Sequence, residues 1–202
     1  MKTIECFYTL SSPWAYFGGP RFYEIARRHG ARIVLRPFDF QKVVPLTGGV
    51  PLRTRVQPRR DYHQLELDRW RRHLGMPLNL KPRHYPQDRP LDNGPATHLV
   101  IAAQQAGLDA QRLSQAILTA LWVEERNTAD RTTLIAIAAE NGIDAERLFA
   151  PATQAAVAAE FERNSADALK RGVFGSPTYY YNGIPYWGQD RLDFLERALA
   201  GS

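Results

Sequence analysis

Residues 4–10, I-E-C-F-Y-T-L, run directly into residues 11–16, S-S-P-W-A-Y, and the fold is decided at this junction. The first stretch is rich in β-branched and aromatic side chains and stops at a Ser-Ser-Pro break, the composition of a short buried strand. Ser12 followed by Pro13 is a helix-start signal: a hydroxyl to cap orphan N–H groups, then a ring whose missing N–H costs nothing at the first helical position. Phe17, Phe22, Ile25 and Ala26 recur at near-helical spacing as far as His29 and Gly30. A helix is therefore expected there, with Gly18, Gly19 and Pro20 expected to bend it. Residues 32–36, R-I-V-L-R, give a second short strand ended by Pro37, so the chain opens as β-α-β with a parallel crossover.

Near the other end, Thr178 to Tyr181 is aromatic and β-prone, Asn182-Gly183 is a hairpin turn, and Ile184 to Trp187 is the returning strand. A terminal helix is expected from Gln189 onward. The order is β-α-β, a long interruption, then β-β-α, with Pro177 immediately before the third strand. This is a thioredoxin-like α/β arrangement with a large all-helical insertion: residues 1–40 and 173–202 form the thioredoxin-like part, and residues 41–172 the insertion with a substrate loop. Helical stretches are expected around 59–73, 95–106, 110–125, 132–141 and 153–170. Gly107, Gly142 and Gly172 stand where C-cap glycines belong, and Asp109, Asp130 and Asp144 precede or open the next helices. The Pro-rich segment 76–90 reads as an ordered loop, long enough without regular structure to suit a substrate site.

At 202 residues and 44% hydrophobic, the chain has enough material for a sizeable core. Its 26 basic residues are nearly matched by 21 acidic ones, for a net charge of +5. The two signs interleave on helices, so a solvated surface with one local anion site is expected rather than a nucleic-acid face. The lone Cys6 cannot form an internal disulfide, and one Cys with five scattered His does not make a zinc site. No run approaches the roughly 20 apolar residues of a membrane span, and the N-terminus lacks a secretory apolar core. A reducing, cytoplasmic setting without membrane, nucleic-acid or metal partners is the expectation.

In a thioredoxin-like enzyme the start of the first helix holds the first Cys of C-x-x-C. Here those four positions are Ser12, Pro13, Trp14 and Ala15, so disulfide exchange through the protein is impossible. A hydroxyl at a helix N-terminus can still donate to a thiolate and, with the helix dipole, lower the pKa of an external thiol from about 8.5. Taken locally, Ser12 reads first as a plain N-cap, and it is the distant Pro177 that shifts the weight. Gly175-Ser176-Pro177-Thr178 precedes a strand, and a proline there is expected to be cis, leaving Ser176 to present its N–H and C=O to an extended cysteinyl peptide as an added strand; an ordinary turn is the alternative. Trp187-Gly188-Gln189-Asp190-Arg191 leads into the last helix. Asp190 can meet an ammonium group and the adjacent helix N–H groups a carboxylate, a fit for a γ-glutamyl zwitterion, or Asp190 is simply a first-turn acid.

The segments S-S-P-W-A-Y, G-V-F-G-S-P-T-Y and W-G-Q-D-R-L, with the middle stretch R-R-D-Y-H-Q-L-E-L-D-R-W-R-R-H-L-G-M-P, resemble the bacterial 2-hydroxychromene-2-carboxylate isomerase family, related to kappa-class glutathione transferases. The likeness covers essentially the whole chain. It implies that glutathione is the cofactor, that Ser12 contacts its sulfur as the catalytic residue, that Ser176 beside Pro177 pairs with its cysteinyl backbone, and that Trp187, Gly188, Gln189 and Asp190 surround its γ-glutamyl end. It also implies a homodimer. Gln189 stands where many relatives carry Asn or Ser. A lysine that the family uses for the substrate carboxylate falls at Val44, past Lys42, so Arg53, Arg55 or Arg59 is expected to supply that charge, with Tyr85 closing the pocket. The implied activity is glutathione-dependent cis-trans isomerisation of an aromatic carboxylate by reversible thiolate addition. A kappa-like glutathione transferase or peroxidase, and a non-catalytic thioredoxin-fold binding module, are the competing readings.

Overall fold

The computed structural model describes residues 1–86 and 89–201, without the side chains of Pro151 and Ala152. Strand β1 (Thr3–Tyr8) leads into helix α1 (Pro13–Arg28) and strand β2 (Arg32–Pro37). The insertion follows: α2 (Phe40–Val43), 3-10 turns at Val44–Thr47 and Leu52–Thr54, α3 (Gln57–Leu74), α4 (Gly94–Gln105), α5 (Ala110–Trp122), α6 (Arg131–Glu140), α7 (Ala145–Leu148) and α8 (Pro151–Lys170). The chain closes with β3 (Thr178–Tyr181), β4 (Ile184–Trp187), a 3-10 turn at Gln189–Arg191 and α9 (Leu192–Ala200). The described strands form one sheet in the order β2-β1-β3-β4, with β1 parallel to β2 and antiparallel to β3, and β4 antiparallel to β3. This is the expected thioredoxin-like topology.

The capping signals place the helix starts. Asp109, Asp130 and Asp144 each accept a backbone N–H one turn into α5, α6 and α7. Gly107, Gly142 and Gly172 all adopt positive φ just past a helix end. Two boundaries differ from the sequence reading. Helix α5 stops at Trp122, because the N–H groups of Val123 and Glu124 both turn back to Thr119 O and Glu125 takes φ 55°. The one-turn α7 is too short to show a helical period. In the loop 76–90, Gln87 and Asp88 lie outside the described residues, whereas Tyr16 Oη donates to Pro77 O (2.7 Å) and Asn79 N to Trp122 O (2.8 Å).

Helix α1 runs unbroken through Gly18-Gly19-Pro20, and these residues have packing roles. A Cβ on Gly18 would lie 2.6 Å from Tyr179 Oη and 2.9 Å from Gln189 Cβ; bare backbone lets α1 sit directly on β3 and the β4–α9 junction. A Cβ on Gly19 would collide with the Gln115 side chain. Pro20 offers no N–H to Tyr16 O, four residues back, and Gln115 Nε2 from α5 donates to that carbonyl instead at 3.2 Å. The insertion is thereby joined to the sheet layer, and one buried cluster runs from Ile4 and Phe22 through Leu99 and Ile117 to Leu195.

Replacing Gln115 with Leu leaves Tyr16 O without its donor and is expected to cost about 1–3 kcal/mol. In a Pro20→Ala background, where residue 20 regains its N–H, the same replacement should cost measurably less. A double-mutant cycle by urea denaturation checks this, and equal costs in both backgrounds would remove the helix-repair role.

Candidate active site

The end of β1, the start of α1 and the turn before β3 meet through two serine hydroxyls. Ser12, the N-cap of α1, accepts the N–H of Ala15 at 3.2 Å and donates its own proton to Ser176 O at 3.1 Å. Ser176 Oγ in turn accepts the N–H of Thr9 at 3.0 Å. The Ser176–Pro177 peptide is cis, and Pro177 O accepts Gly188 N–H at 2.9 Å. The turn is thus held on both flanks, and Ser12 sits at the N-terminus of a 16-residue helix, where aligned peptide dipoles sum to about half a positive elementary charge. Ser12 is buried, 7% exposed, so that field acts in a poorly hydrated place.

A cleft of about 790 Å³ opens over this junction. Every site residue expected from the sequence lines it except Pro177, which lies buried behind Ser176 and serves as backbone. Trp187 packs edge-on against Phe174 with centroids 4.8 Å apart, and Gly175 is obligatory because any Cβ there would strike the Trp187 indole. Gly188 takes φ 96°, a conformation that suits glycine. Gln189 is almost fully buried, with Gly18 against the base of its side chain. The Asp190 carboxylate is half-exposed and pairs with Arg191 at 3.1 Å, so an incoming ammonium group would compete with that guanidinium.

The arginines and Tyr85 also line the cleft. Arg53 is committed to local structure on one side: Nη2 donates to Pro86 O at 2.7 Å, and the guanidinium lies over the Tyr85 ring, 5.4 Å from its centroid. Its buried Nε has no hydrogen-bond partner among the described residues. Arg55 Nε donates to Val50 O at 2.8 Å, and burial, followed by the nearby Arg59 charge, pushes the Arg55 guanidinium below the ordinary arginine range. Arg59 is exposed. No carboxylate among the described residues forms an ion pair with any of the three. Val44 is buried against the Phe7 and Phe38 cluster, and Lys42 pairs with Glu162 at 3.3 Å, so neither reaches the cleft.

Two cleft residues went unnoticed in the sequence. Asn93, just before α4, donates Nδ2 to Ser11 Oγ at 2.9 Å, and its buried Oδ1 has no partner among the described residues. His63 on α3 is only 9% exposed, and its ring meets Trp14 edge-on with centroids 5.5 Å apart. Burial, then the charge of Arg55, lowers the His63 pKa from its ordinary 6.5 to about 4, so the ring is neutral at pH 7. A sequence signal for it existed: Arg59, His63, Glu66 and Trp70 fall at helical spacing on one face of α3, and all four line the cleft. Among the described residues no group of three or more His, Cys, Asp or Glu could hold a metal ion, and no helix is long and apolar enough to cross a membrane.

These features define a thioredoxin-type protein with a hydroxyl at the position where redox members carry a thiol. The chain belongs to the DSBA-like thioredoxin domain family, which matches it over residues 3–200. It is 28% identical over 199 residues to a 2-hydroxychromene-2-carboxylate isomerase from Sphingobium xenophagum, covering 98% of each chain. It is 26% identical over 200 residues to one from Pseudomonas putida, covering 97% of this chain and 93% of that one. Among solved structures, a 2-hydroxychromene-2-carboxylate isomerase superposes with a TM-score of 0.75 at 23% identity, covering 98% of this chain and 94% of the other.

A histidine whose folded pKa is depressed favours the folded state in its neutral form. The contribution of His63 is therefore fully present above about pH 6.5 and is lost as pH falls from there toward about 4. Chemical denaturation across this window is expected to show a steeper loss of stability in the wild type than in His63→Leu; parallel curves would mean that the ring titrates normally.

Proposed function

We propose that the cleft binds glutathione beside Ser12 and catalyses cis-trans isomerisation of an aromatic carboxylate held by the arginine wall. The observation that carries this reading is the position of the Ser12 hydroxyl: at a helix N-terminus, next to a cis-proline turn, in a chain whose lone cysteine, Cys6, is buried in the sheet. The site offers a thiolate both a donor and a positive field but contains no thiol of its own, so the thiol must come with a ligand. Bound there, glutathione would supply a thiolate that adds reversibly to a conjugated carbon, letting the former double bond rotate before elimination restores it.

The donor set fits such a ligand. The Ser12 proton now goes to Ser176 O, which is also the acceptor that an added strand would use. A backbone N–H presented to Ser176 O would relieve Ser12 of that bond and free its hydroxyl to turn to a sulfur. Cysteinyl docking and thiolate stabilisation are then one rearrangement. Asp190 exchanges Arg191 for the γ-glutamyl ammonium. Across the cleft, Arg55 is the best placed of the three cations for a substrate carboxylate: it is partly desolvated, paired only with a backbone carbonyl, and close to Arg59, so a bound anion would offset two like charges at once. The isomerase relatives support this choice of reaction.

Ser12→Ala is expected to raise the pKa of the bound glutathione thiol toward its free value and slow turnover, while leaving the dissociation constant for glutathione within about threefold. Ultraviolet thiolate titration of the complex reads the first effect directly, and an unchanged titration would end the role of Ser12 as activator. Arg55→Met is expected to raise the Michaelis constant for an aromatic carboxylate by about tenfold or more and to spare glutathione affinity. If the wild type turns over uncharged electrophiles and ignores carboxylates, the transferase reading replaces the isomerase one.

A further inference from the structure

His63 is a buried polar ring with nothing to bond. It is nine-tenths buried, it lines the cleft, and among the described residues its contacts are the edge of Trp14 and the charge of Arg55, with no hydrogen-bond partner for either ring nitrogen. Neither ring nitrogen is among the fully enclosed unpartnered polar atoms, so the unbonded nitrogens keep access to the cleft, where a ligand or water can complete them. An apolar residue would fill this place on the α3 face more cheaply. The ring faces the same cleft as Ser12 and shares it with Trp14, Leu52 and Trp70, apolar surfaces that suit an aromatic ring.

The chemistry of the partner follows from the neighbours. A neutral imidazole presents one N–H donor and one bare nitrogen acceptor. A carboxylate can use only the donor and finds better partners in Arg53, Arg55 and Arg59. An ammonium group could use the acceptor but would meet three positive charges. A hydroxyl, both donor and acceptor, matches the ring and carries no charge to be repelled. We propose that His63 is the specificity-determining residue that hydrogen-bonds a hydroxyl on the aromatic carboxylate substrate, alongside the arginines that take its charge. The inference rests on the reading of this cleft as the aromatic-carboxylate site, and it is independent of whether the thiol is that of glutathione.

Binding of trans-2-hydroxycinnamate and trans-2-methoxycinnamate, measured by calorimetry without glutathione, tests it. Wild-type protein should favour the hydroxy probe by about tenfold or more, the loss expected when one good hydrogen bond is removed at a buried site. His63→Leu should bring the ratio close to one by weakening the hydroxy probe alone, and His63→Gln, which keeps a donor and an acceptor, should restore part of it. Ligand-free His63→Leu should melt no lower than the wild type at pH 7, because the ring has no partner to lose; if that variant does not fold, the Gln variant and an Asn variant carry the comparison. The proposal is overturned if the leucine variant keeps the wild-type ratio, if it weakens both probes equally, or if the wild type binds neither. Turnover measured with and without glutathione is a separate readout: its failure alongside an intact hydroxy-to-methoxy ratio removes the thiol reading and leaves the role of His63 standing.

Discussion

The Ser12 hydroxyl makes one bond in each direction, and the rest of the site depends on both. By accepting from Ala15 it fixes where α1 starts, and by donating to Ser176 O it ties that start to the cis-proline turn 164 residues away. The reciprocal bond from Thr9 N–H to Ser176 Oγ closes the junction from the strand side. A helix N-terminus is always an anion site in principle; here the turn is locked against it, so the backbone edge of Ser176 and the positive helix end face one volume. A thiol in place of this hydroxyl would make the junction a redox centre. With the hydroxyl, the junction has no thiol of its own.

Local chemistry made most of the frame legible. Runs of β-branched and aromatic residues, an Asn-Gly turn, a Ser-Pro start and three Asp caps each specify conformation within a few residues, and all of them appear in the structure where the sequence puts them. What was not legible involves pairs distant in sequence. The defect of Pro20 is local, but the donor that meets it, Gln115, comes from a helix 95 residues further on. Gly18 and Gly19 read only as part of a bend because a glycine records only what is absent; what lies against them is Gln189 and Gln115. Asn93 and His63 were missed for the same reason, since each gains meaning from Ser11 or Trp14 across the cleft. The arginines were legible as a cluster, but only the structure separates Arg53, braced by Pro86 and Tyr85, from Arg55, which has less to hold it.

The cleft carries charges of both signs. Asp190 and Arg191 come from the 3-10 turn after β4, and Arg53, Arg55 and Arg59 from the stretch running from the Leu52–Thr54 turn into α3, while Asp39, Glu66 and Asp92 line the same space. Asp190 belongs to the thioredoxin-like frame and the three arginines to the helical insertion. The insertion can therefore change its cleft-facing residues without disturbing the frame.

The same charges explain why an imidazole survives in the arginine wall. Were His63 protonated, it would add a further cation to an uncompensated group and would cost more than burial alone, so Arg55 and the hydrophobic enclosure push its pKa in the same direction. Neutrality is thus imposed from outside the ring. Arg55 gains in turn from a neighbour that adds no charge: an anion approaching it meets a neutral polar ring instead of a second strong competitor, and the remaining hydrogen-bonding capacity beside it is left for uncharged oxygen. On the proposed reading, charge recognition and hydroxyl recognition are separated onto two side chains, one on α3 and one just before it, and the separation persists only while both the cation and the burial remain.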